Sequence, residues 1–234
     1  MNNIINENPN DSIGQRQIFS LSFVSDFDIK NKNILDIGCG FGWFELRLLN
    51  RSPKEINATE ITNKDLYAIR KYVKDKRVKT TIASGDKLPF SASIFNTVTS
   101  WDVIEHIPKH YENKMFKEIN RVLKPNGVFY LSTPYDNFIA KLLDPAWWLI
   151  GHRHYSCKKL IEYGKNNGFA IKNIQIRGGH WEAIYILNMY IAKWIFRRKP
   201  LFNTFFHNKI ESEYQNSGFI GIFIKYQKID SLIK

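Results

Sequence analysis

One acid and three glycines lie close together in the stretch ILDIGCGFGWFE, residues 34–45. The apolar run that contains Asp36 is typical of a buried parallel strand, and the residues after the glycines place apolar side chains at helical spacing. The glycines therefore lie in a strand-to-helix turn. Glycine tolerates positive φ and lets a ligand approach the backbone without Cβ atoms in the way, so the stretch predicts a cofactor-binding turn. The glycines are Gly38, Gly40 and Gly42.

Two cofactors bind to turns of this kind. A dinucleotide favours G-x-G-x-x-G, but Trp43 stands where the third glycine of that pattern would fall. An acid before the first glycine would also repel a pyrophosphate in a partly desolvated site. S-adenosylmethionine carries a sulfonium and an ammonium group, so Asp36 suits it. The residues therefore favour S-adenosylmethionine.

The stretch LDIGCGFG resembles the first motif of class I S-adenosylmethionine-dependent methyltransferases. Three later stretches match that family in the same order: INATE, which ends at Glu60, SGDKLPF at 84–90, and WDVIEHIP at 101–108. The last of these, together with EINRVLKPNGVFYLSTP, resembles the type 11 subgroup. The resemblance covers residues 33–177.

The matched positions imply a cofactor site. Glu60 closes the second predicted strand, where a carboxylate can accept hydrogen bonds from both ribose hydroxyls of an adenosine. Asp86 matches the acid that binds the adenine amino group in this family, with Lys87 and Leu88 beside the ring. The full predicted cofactor set is Asp36, Gly38, Cys39, Gly40, Gly42, Glu60, Ile61, Gly85, Asp86, Lys87, Leu88, Trp101 and Asp102.

Three histidines are the catalytic candidates. His106 follows the fourth predicted strand, and His152 and His154 lie in GHRHYS, 151–156, which resembles a substrate-side loop of type 11 enzymes. Each can contact the methyl acceptor, remove a proton from it, or only brace a loop. Methyl transfer proceeds by direct in-line displacement, so the protein mainly positions donor and acceptor. We predict no metal site, because no carboxylate-rich cluster is recognisable in the sequence.

Strand and helix patterns alternate along the chain, which predicts an α/β, doubly wound, mainly parallel sheet. The resemblance makes it a seven-stranded Rossmann-like sheet whose last strand is antiparallel, with a helical cap over the carboxyl ends of the strands. The pattern places a first helix within 12–27 and further helices at 43–50, 63–74, 111–123 and 157–167, the last with Ser156 as N-cap. The predicted strands are 33–37, 55–60, 78–83, 95–101, 127–133, 169–176 and a last one from 219.

The predicted organisation has four parts: an N-terminal lid helix in 1–30, a cofactor-binding core in 31–177, an apolar and basic cap insertion in 178–218, and the last strand and tail in 219–234. A segment before the helix at 157 also leaves the carboxyl end of a strand and is expected to join the cap. Within the insertion, residues 181–196 form an apolar stretch of roughly 24 Å as a helix, too short for a bilayer span. It packs in the cap or a homodimer interface, or it lies in a membrane surface.

The net charge of +12 is uneven, with +4 in residues 1–134 and +8 in 135–234. Such a bias is compatible with nucleic acid, an anionic membrane or a basic soluble protein. The two cysteines predict neither a disulfide framework nor a zinc site. The N-terminal residues lack signal-peptide features, so we predict a cytoplasmic protein, with peripheral contact at the inner membrane face as an open alternative.

These observations predict an S-adenosylmethionine-dependent methyltransferase that acts on a small or lipid-like acceptor of apolar character, such as a quinone precursor, a lipid-linked sugar or a secondary metabolite. An RNA or protein methyltransferase is the first alternative, although WDVIEH stands where an Asn-Pro-Pro-Tyr type motif would be expected. A non-catalytic scaffold that binds S-adenosylmethionine is the second. The acceptor atom and the oligomeric state stay open at this point.

Overall fold

The computed structural model describes residues 8–10 and 13–229. Its seven strands form one sheet in the order β3-β2-β1-β4-β5-β7-β6. Neighbouring strands β1 to β5 pair in parallel, whereas β7 runs antiparallel to both β5 and β6. The predicted Rossmann-like sheet with an antiparallel last strand is confirmed. The strands are β1 Asn33–Ile37, β2 Glu55–Glu60, β3 Val78–Ile82, β4 Phe95–Trp101, β5 Leu123–Pro134, β6 Phe169–Arg177 and β7 Gly221–Lys228.

Helices cover both faces of the sheet and its carboxyl edge. Ser156 is the N-cap of α7, as predicted, because its side chain accepts a hydrogen bond from the Lys159 amide. Helix α8 continues into a π-helical turn, Ile191–Ile195, so the apolar stretch predicted at 181–196 is not one regular helix. The helices are α1 Gln15–Phe23, α2 Trp43–Leu48, α3 Tyr67–Tyr72, α4 Glu112–Val122, α5 Phe138–Leu142, α6 Pro145–Ile150, α7 Cys157–Asn166, α8 His180–Tyr190 and α9 Asn203–Tyr214.

Two boundaries differ from the prediction for local reasons. Helix α3 begins at Tyr67, later than position 63, because residues 63–66 form turns, although Thr62 accepts from the Asp65 amide as an N-cap does. Strand β5 begins earlier than 127, at Leu123, because Leu123 already pairs with Phe95 of β4.

The predicted insertion contains α9, for which no helix was predicted from the sequence. Its buried residues Phe206, Ile210 and Tyr214 lie four positions apart and belong to the same core cluster as Tyr130 and Phe223 of the sheet. The C-terminal half of the insertion therefore packs on the sheet and on α1. Helices α5 and α8 meet through Ala140, Ala183 and Ile220, and together they cover the carboxyl edge.

Candidate active site

The glycine turn between β1 and α2 has the backbone that the sequence predicted. Gly38, Gly40 and Gly42 have φ of +77°, +54° and +85°. A Cβ atom on Gly38 would lie 2.4 Å from Val103 Cγ2, whereas one on Gly40 would meet nothing within 4 Å. The turn therefore leaves open space beside the Gly40 backbone, where a ligand can approach.

Glu60, at the end of β2, bonds directly to this turn. The Gly40 amide donates to Glu60 Oε1 at 2.6 Å. Burial raises the pKa of the Glu60 carboxyl, and the bond from Gly40 partly offsets that rise. The next residue, Ile61, is 67% exposed. A carboxylate at the turn can accept hydrogen bonds from ribose hydroxyls, and the exposed apolar side chain beside it can pack against an adenine ring.

Two buried carboxyl groups lie behind the turn. Asp36 accepts a hydrogen bond from the Thr99 hydroxyl and interacts with Glu45 of α2. Neither carboxylate oxygen of Glu45 has a hydrogen-bond donor among residues 8–10 and 13–229. Burial raises the pKa of Asp36 to about 7, and burial followed by repulsion from Asp36 raises that of Glu45. A cationic ligand close to this pair would therefore stabilise the ionised form of the two acids.

The acidic loop after β3 lies at the same carboxyl edge. Asp86 is partly buried and accepts a hydrogen bond from the Ser84 hydroxyl. Gly85 is buried, and a Cβ there would crowd Ile37 and Met115. Lys87 is exposed. The adenine-binding role of this loop stays a prediction.

Four other members of the predicted cofactor set have side chains engaged elsewhere. Cys39 packs in a core cluster with Ile69, and Leu88 packs in the central core. Trp101 stacks edge-on against Phe44, with ring centroids 5.4 Å apart. Asp102 forms an ion pair with Arg16 of α1, with Nη2 2.5 Å from Oδ1. Contacts of these four residues with the cofactor stay predictions. Cys39 belongs to the glycine turn through its backbone, but its side chain points into the core.

A cavity of about 610 Å³ lies between the carboxyl edge and the cap. Its cap side is largely apolar, with contributions from α5, α6, α8 and α9, whereas its floor carries ionisable groups. The N-terminal residues of α1 close one side. The apolar lining includes Ile13, Ala140, Leu143, Ile150, Ala183, Ile186, Met189, Ile210 and Ile220, and the polar lining includes Arg16, Asp102, Glu105, His106, Asp144, His152, His154, Glu182 and His207.

The three candidate histidines all line this cavity, and Asp144 distinguishes their roles. Its Oδ2 lies 3.0 Å from His152 Nδ1 and 2.9 Å from His154 Nε2. Burial alone would raise the pKa of Asp144, but the hydrogen bonds from the two rings outweigh it and hold that pKa well below its ordinary value. Asp144 is therefore a carboxylate that accepts from both rings.

His154 and His152 differ in what their other nitrogens contact. His154 Nδ1 lies 3.0 Å from the Tyr135 carbonyl oxygen. Because a carbonyl and a carboxylate only accept hydrogen bonds, neither ring nitrogen of His154 is free to take a proton from the methyl acceptor. His152 donates from Nδ1 and keeps the Nε2 lone pair free, as in an Asp-His pair poised to take a proton. His152 is thus the histidine whose geometry suits a base.

His106 stands beside His152, with ring centroids 4.8 Å apart. Partial burial, and then the neighbouring His152, lower the pKa of His106. The ring therefore tends to stay neutral, and it remains accessible to solvent. It can contact the acceptor at the edge of the cavity.

These residues also form two groups with metal-ligand chemistry, which their sequence spacing did not show. In each group, Glu105–His106–His152 and Asp144–His152–His154, the ligand atoms lie within 4.8 Å of one another. The contacts of Asp144 have the lengths of hydrogen bonds. That no metal takes part stays a prediction.

Sequence reasoning missed the carboxyl groups around the histidines, Glu105, Asp144 and Glu182. Asp144 carried a usable signal, because Asp followed by Pro is a helix N-terminus signature. Its side chain caps α6 by accepting from the Ala146 amide at 2.9 Å. Glu105 and Glu182 lie in different elements, and the pattern of neither segment indicates a buried acid.

A family model described as a methyltransferase domain matches residues 16–173. The chain belongs to this family. Ubiquinone/menaquinone biosynthesis C-methyltransferase UbiE of Rickettsia massiliae is 31% identical to this methyltransferase over 127 residues, and the match spans 50% of each chain. UbiE of Rickettsia bellii is 30% identical over the same length and coverage. The chain thus spans about half the length of the curated relatives it matches.

Solved structures show the same fold. The S-adenosylmethionine-dependent methyltransferase of Mesorhizobium loti superimposes with a TM-score of 0.65 at 14% identity, covering 90% of this chain and 96% of that one. Geranyl diphosphate C-methyltransferase of Streptomyces coelicolor, solved with Mg²⁺, geranyl diphosphate and S-adenosyl-L-homocysteine, gives a TM-score of 0.63 at 14% identity, covering 92% and 78%. The methyltransferase described here therefore has the fold of S-adenosylmethionine-dependent methyltransferases.

The buried acids fit this cofactor and predict how its affinity depends on pH. Below its pKa of about 7, Asp36 is neutral, and only the carboxylate attracts a cation. The ionised fraction rises from roughly a tenth at pH 6 to roughly nine tenths at pH 8, so we expect about tenfold tighter binding of S-adenosylmethionine at the higher pH. Calorimetric titration at both pH values measures this difference.

Glu45→Gln is the matched variant for this pH dependence. A hydrogen bond from Glu45 lowers the pKa of Asp36, and a glutamine amide can still donate such a bond, so the rise in affinity between pH 6 and pH 8 is expected to persist. An affinity that falls with rising pH in the unaltered protein would contradict the assignment.

Proposed function

We propose that this protein transfers a methyl group from S-adenosylmethionine to a small or lipid-like acceptor of apolar character. A quinone precursor, a lipid-linked sugar and a secondary metabolite all belong to this class. The cavity between the cap and the sheet edge is the main support for this proposal, because its apolar walls face a floor of ionisable groups. Ligand pockets commonly combine apolar walls with a few placed polar groups.

The residues on the floor suit removal of a proton from the acceptor. S-adenosylmethionine, when bound, supplies the methyl group on a positively charged sulfur. Asp144 holds His152 with its proton on Nδ1, so that Nε2 is free to accept one. His154 Nε2 lies 2.9 Å from Asp144 Oδ2 and helps to hold that carboxylate in place. In this proposal, Asp36, Glu60 and the Gly40 backbone hold the donor at the same carboxyl edge of the sheet.

Methyl transfer to a panel of acceptors tests this function. Purified protein is incubated with radiolabelled S-adenosylmethionine and either an alkyl-substituted quinol, a lipid-linked sugar, transfer RNA or a basic protein. We expect label in the organic extract with one of the first two. Label only in RNA or protein would support the alternative acceptors, and no label with tight cofactor binding would support a scaffold role.

Contact with an anionic membrane belongs to the same proposal. A surface that we call the cap rim consists of exposed apolar side chains on α5, on α6 and in residues 195–202. Ile150 of α6 and Tyr190 at the end of α8 both line the acceptor cavity, so the rim lies beside it. Phe138 is 79% exposed and Phe202 74%. The cap rim is Phe138, Trp148, Leu149, Ile150, Ile195, Phe196 and Phe202.

Basic side chains accompany the cap rim. Arg197, Arg198 and Lys199 are exposed, and Arg198 lies over the Phe196 ring, 5.0 Å from its centroid. Among the described residues, no helix is both long and apolar enough to cross a membrane. Exposed aromatics next to cations favour attachment to a surface that is apolar inside and anionic outside. Such a surface would present a lipid-like acceptor to the cavity.

Vesicle binding is expected to depend on these cations. Each basic side chain near an anionic surface contributes about 1 kcal/mol, so Arg197→Ser with Arg198→Ser should lower binding to anionic vesicles by about 30-fold. Cosedimentation at low and at about 0.5 M salt measures it, with Lys158→Ser and Lys165→Ser on α7 as the control. Equal binding to neutral and anionic vesicles would contradict the proposal, as would preferential binding to RNA.

A further inference from the structure

The side chain of Arg153 joins two loops that both carry candidate histidines. Arg153 directly follows His152 in the loop between α6 and α7. Its guanidinium donates hydrogen bonds to three backbone carbonyl groups in the loop after β4, residues 102–111. The accepting residues are Ile104 at 2.8 Å, Glu105 at 3.2 Å and Ile107. Because His106 belongs to this second loop, Arg153 ties the loop of His106 to the loop of His152.

The same guanidinium forms an ion pair with a buried carboxyl group. Arg153 Nη1 lies 2.6 Å from Glu112 Oε1, and the Glu112 side chain, on α4, is 5% exposed. The Tyr155 hydroxyl donates to the same oxygen at 3.1 Å. Four of the five N–H groups of Arg153 thus have acceptors. A planar, charged fork can hold so many acceptors in one arrangement, so the guanidinium attaches the two loops firmly to each other.

The residues on either side of Arg153 are held in different ways. Tyr155 pairs through its backbone with Tyr135, just after β5, and this contact does not need the Arg153 side chain. His152, by contrast, bonds through its ring to Asp144 within the cap. Removing the Arg153 side chain should therefore loosen the attachment of His152 to the loop after β4 without unfolding the segment.

We propose that Arg153 is a positioning residue for methyl transfer, which holds His152 beside the loop after β4 and so fixes where the base meets the acceptor. This inference rests on the proposed function, in which His152 takes the acceptor proton. The rings of His106 and His152, on the two loops that Arg153 joins, have centroids 4.8 Å apart. A shift of about 1 Å in a reacting group can lower a rate about 100-fold. Loss of the attachment should thus slow methyl transfer and leave cofactor binding unchanged.

Nuclear Overhauser effects between the two histidine rings measure this positioning without an acceptor. Protein labelled on histidine and saturated with S-adenosyl-L-homocysteine is compared with Arg153→Ala and with Arg153→Lys, the milder variant. We expect an effect between the ring protons of His106 and His152 in the unaltered protein, its loss in Arg153→Ala and its weakening in Arg153→Lys. An equally strong effect in all three proteins overturns the inference.

Guanidinium ions distinguish a local role from a general loss of stability. Arg153 lines a cavity of about 500 Å³ whose lining includes the exposed Lys109 and Gly151, so an ion from solvent can enter the space that Arg153→Ala leaves. With the acceptor that the panel identifies, we expect kcat of this variant to fall about 100-fold at unchanged affinity for S-adenosyl-L-homocysteine. Guanidinium below denaturing concentrations should restore the ring contact and part of kcat, whereas urea at the same concentration should not. Equal restoration by urea overturns the inference.

Arg51→Ala is the matched control, because Arg51 also binds two carbonyl groups and one carboxylate. It donates to the Leu21 and Val24 oxygens and pairs with Asp26. Arg51 precedes β2, at the opposite edge of the sheet from the acceptor cavity, and is not among the residues that line that cavity. This variant should keep the ring contact and kcat and should not respond to guanidinium. An equal fall of kcat in Arg51→Ala would assign the effect to lost stability and overturn the inference.

The two proposals fail separately. Normal binding of S-adenosyl-L-homocysteine, with no methyl transfer by the unaltered protein to any acceptor of the panel, contradicts the proposed function. The ring contact then still tests the attachment by Arg153. Methyl transfer that Arg153→Ala leaves unchanged overturns only the positioning role of Arg153.

Discussion

His152→Asn should lower kcat by about 10²- to 10⁴-fold, the usual contribution of a positioned general base. In the native protein, Asp144 Oδ2 accepts from His152 Nδ1 at 3.0 Å, which leaves Nε2 as the basic atom of this cavity-lining side chain. Asparagine offers no nitrogen lone pair there. The measurement is the steady-state rate with the acceptor that the panel identifies, under saturating S-adenosylmethionine.

His110→Asn is the matched control, because His110 is exposed and is not among the cavity-lining residues. Asparagine also tolerates the positive φ of 73° at that position. Both variants should bind S-adenosyl-L-homocysteine normally, and added imidazole should partly restore only His152→Asn. A kcat for His152→Asn within threefold of the unaltered protein would contradict the role of His152 as base.

Glu60→Ala is expected to weaken S-adenosyl-L-homocysteine binding by about 150-fold. Hydrogen bonds to a charged group contribute about 1.5–3 kcal/mol each, and loss of two at the lower value is about 3 kcal/mol. The bond from the Gly40 amide to Glu60 Oε1 at 2.6 Å places this carboxylate against the glycine turn. Calorimetric titration gives the change in affinity.

Glu55→Ala provides the control on the same strand. Glu55 begins β2, at the opposite end from Glu60, and pairs with Lys79 on the surface. It should leave cofactor affinity within about twofold, and both proteins should keep the native circular dichroism spectrum. An unchanged affinity in Glu60→Ala would show that this acid does not hold the cofactor.

The glycine turn and its acids were predictable because their signals are local. Parallel strands place their carboxyl ends along one edge, so residues such as Asp36 and Glu60 could be assigned to one site from strand ends alone. The positive φ values of the glycines agree with that prediction. Ser156 was predictable for the same reason, since an N-cap depends on the first turn of its helix.

The orientation of the residues next to these was harder to predict, because one side chain can face the ligand site while the adjacent one packs in the core. Cys39 lies between two turn glycines, yet its side chain packs with Ile69 in the core. Leu88 follows the acidic loop, yet it packs with Met115 under the sheet. A motif therefore located the turn and the loop but did not fix which side chains face the ligand.

The floor of the acceptor cavity depends on contacts between distant segments. Arg16 bonds to Asp102 across 86 positions, and Tyr214 bonds to Glu182 across 32. No local periodicity indicates such pairs, since they form only when α1 and the cap pack on the sheet. The sequence thus predicted the donor side of the site better than the acceptor side.

A crystal structure grown with S-adenosyl-L-homocysteine would show directly which residues hold the cofactor. We expect the ribose hydroxyls within hydrogen-bond distance of the Glu60 carboxylate, the amino group towards Asp36, and the sulfur facing the cavity that His152 lines. A ligand whose ribose lies away from Glu60, or whose sulfur is separated from that cavity by the sheet, would contradict this expectation.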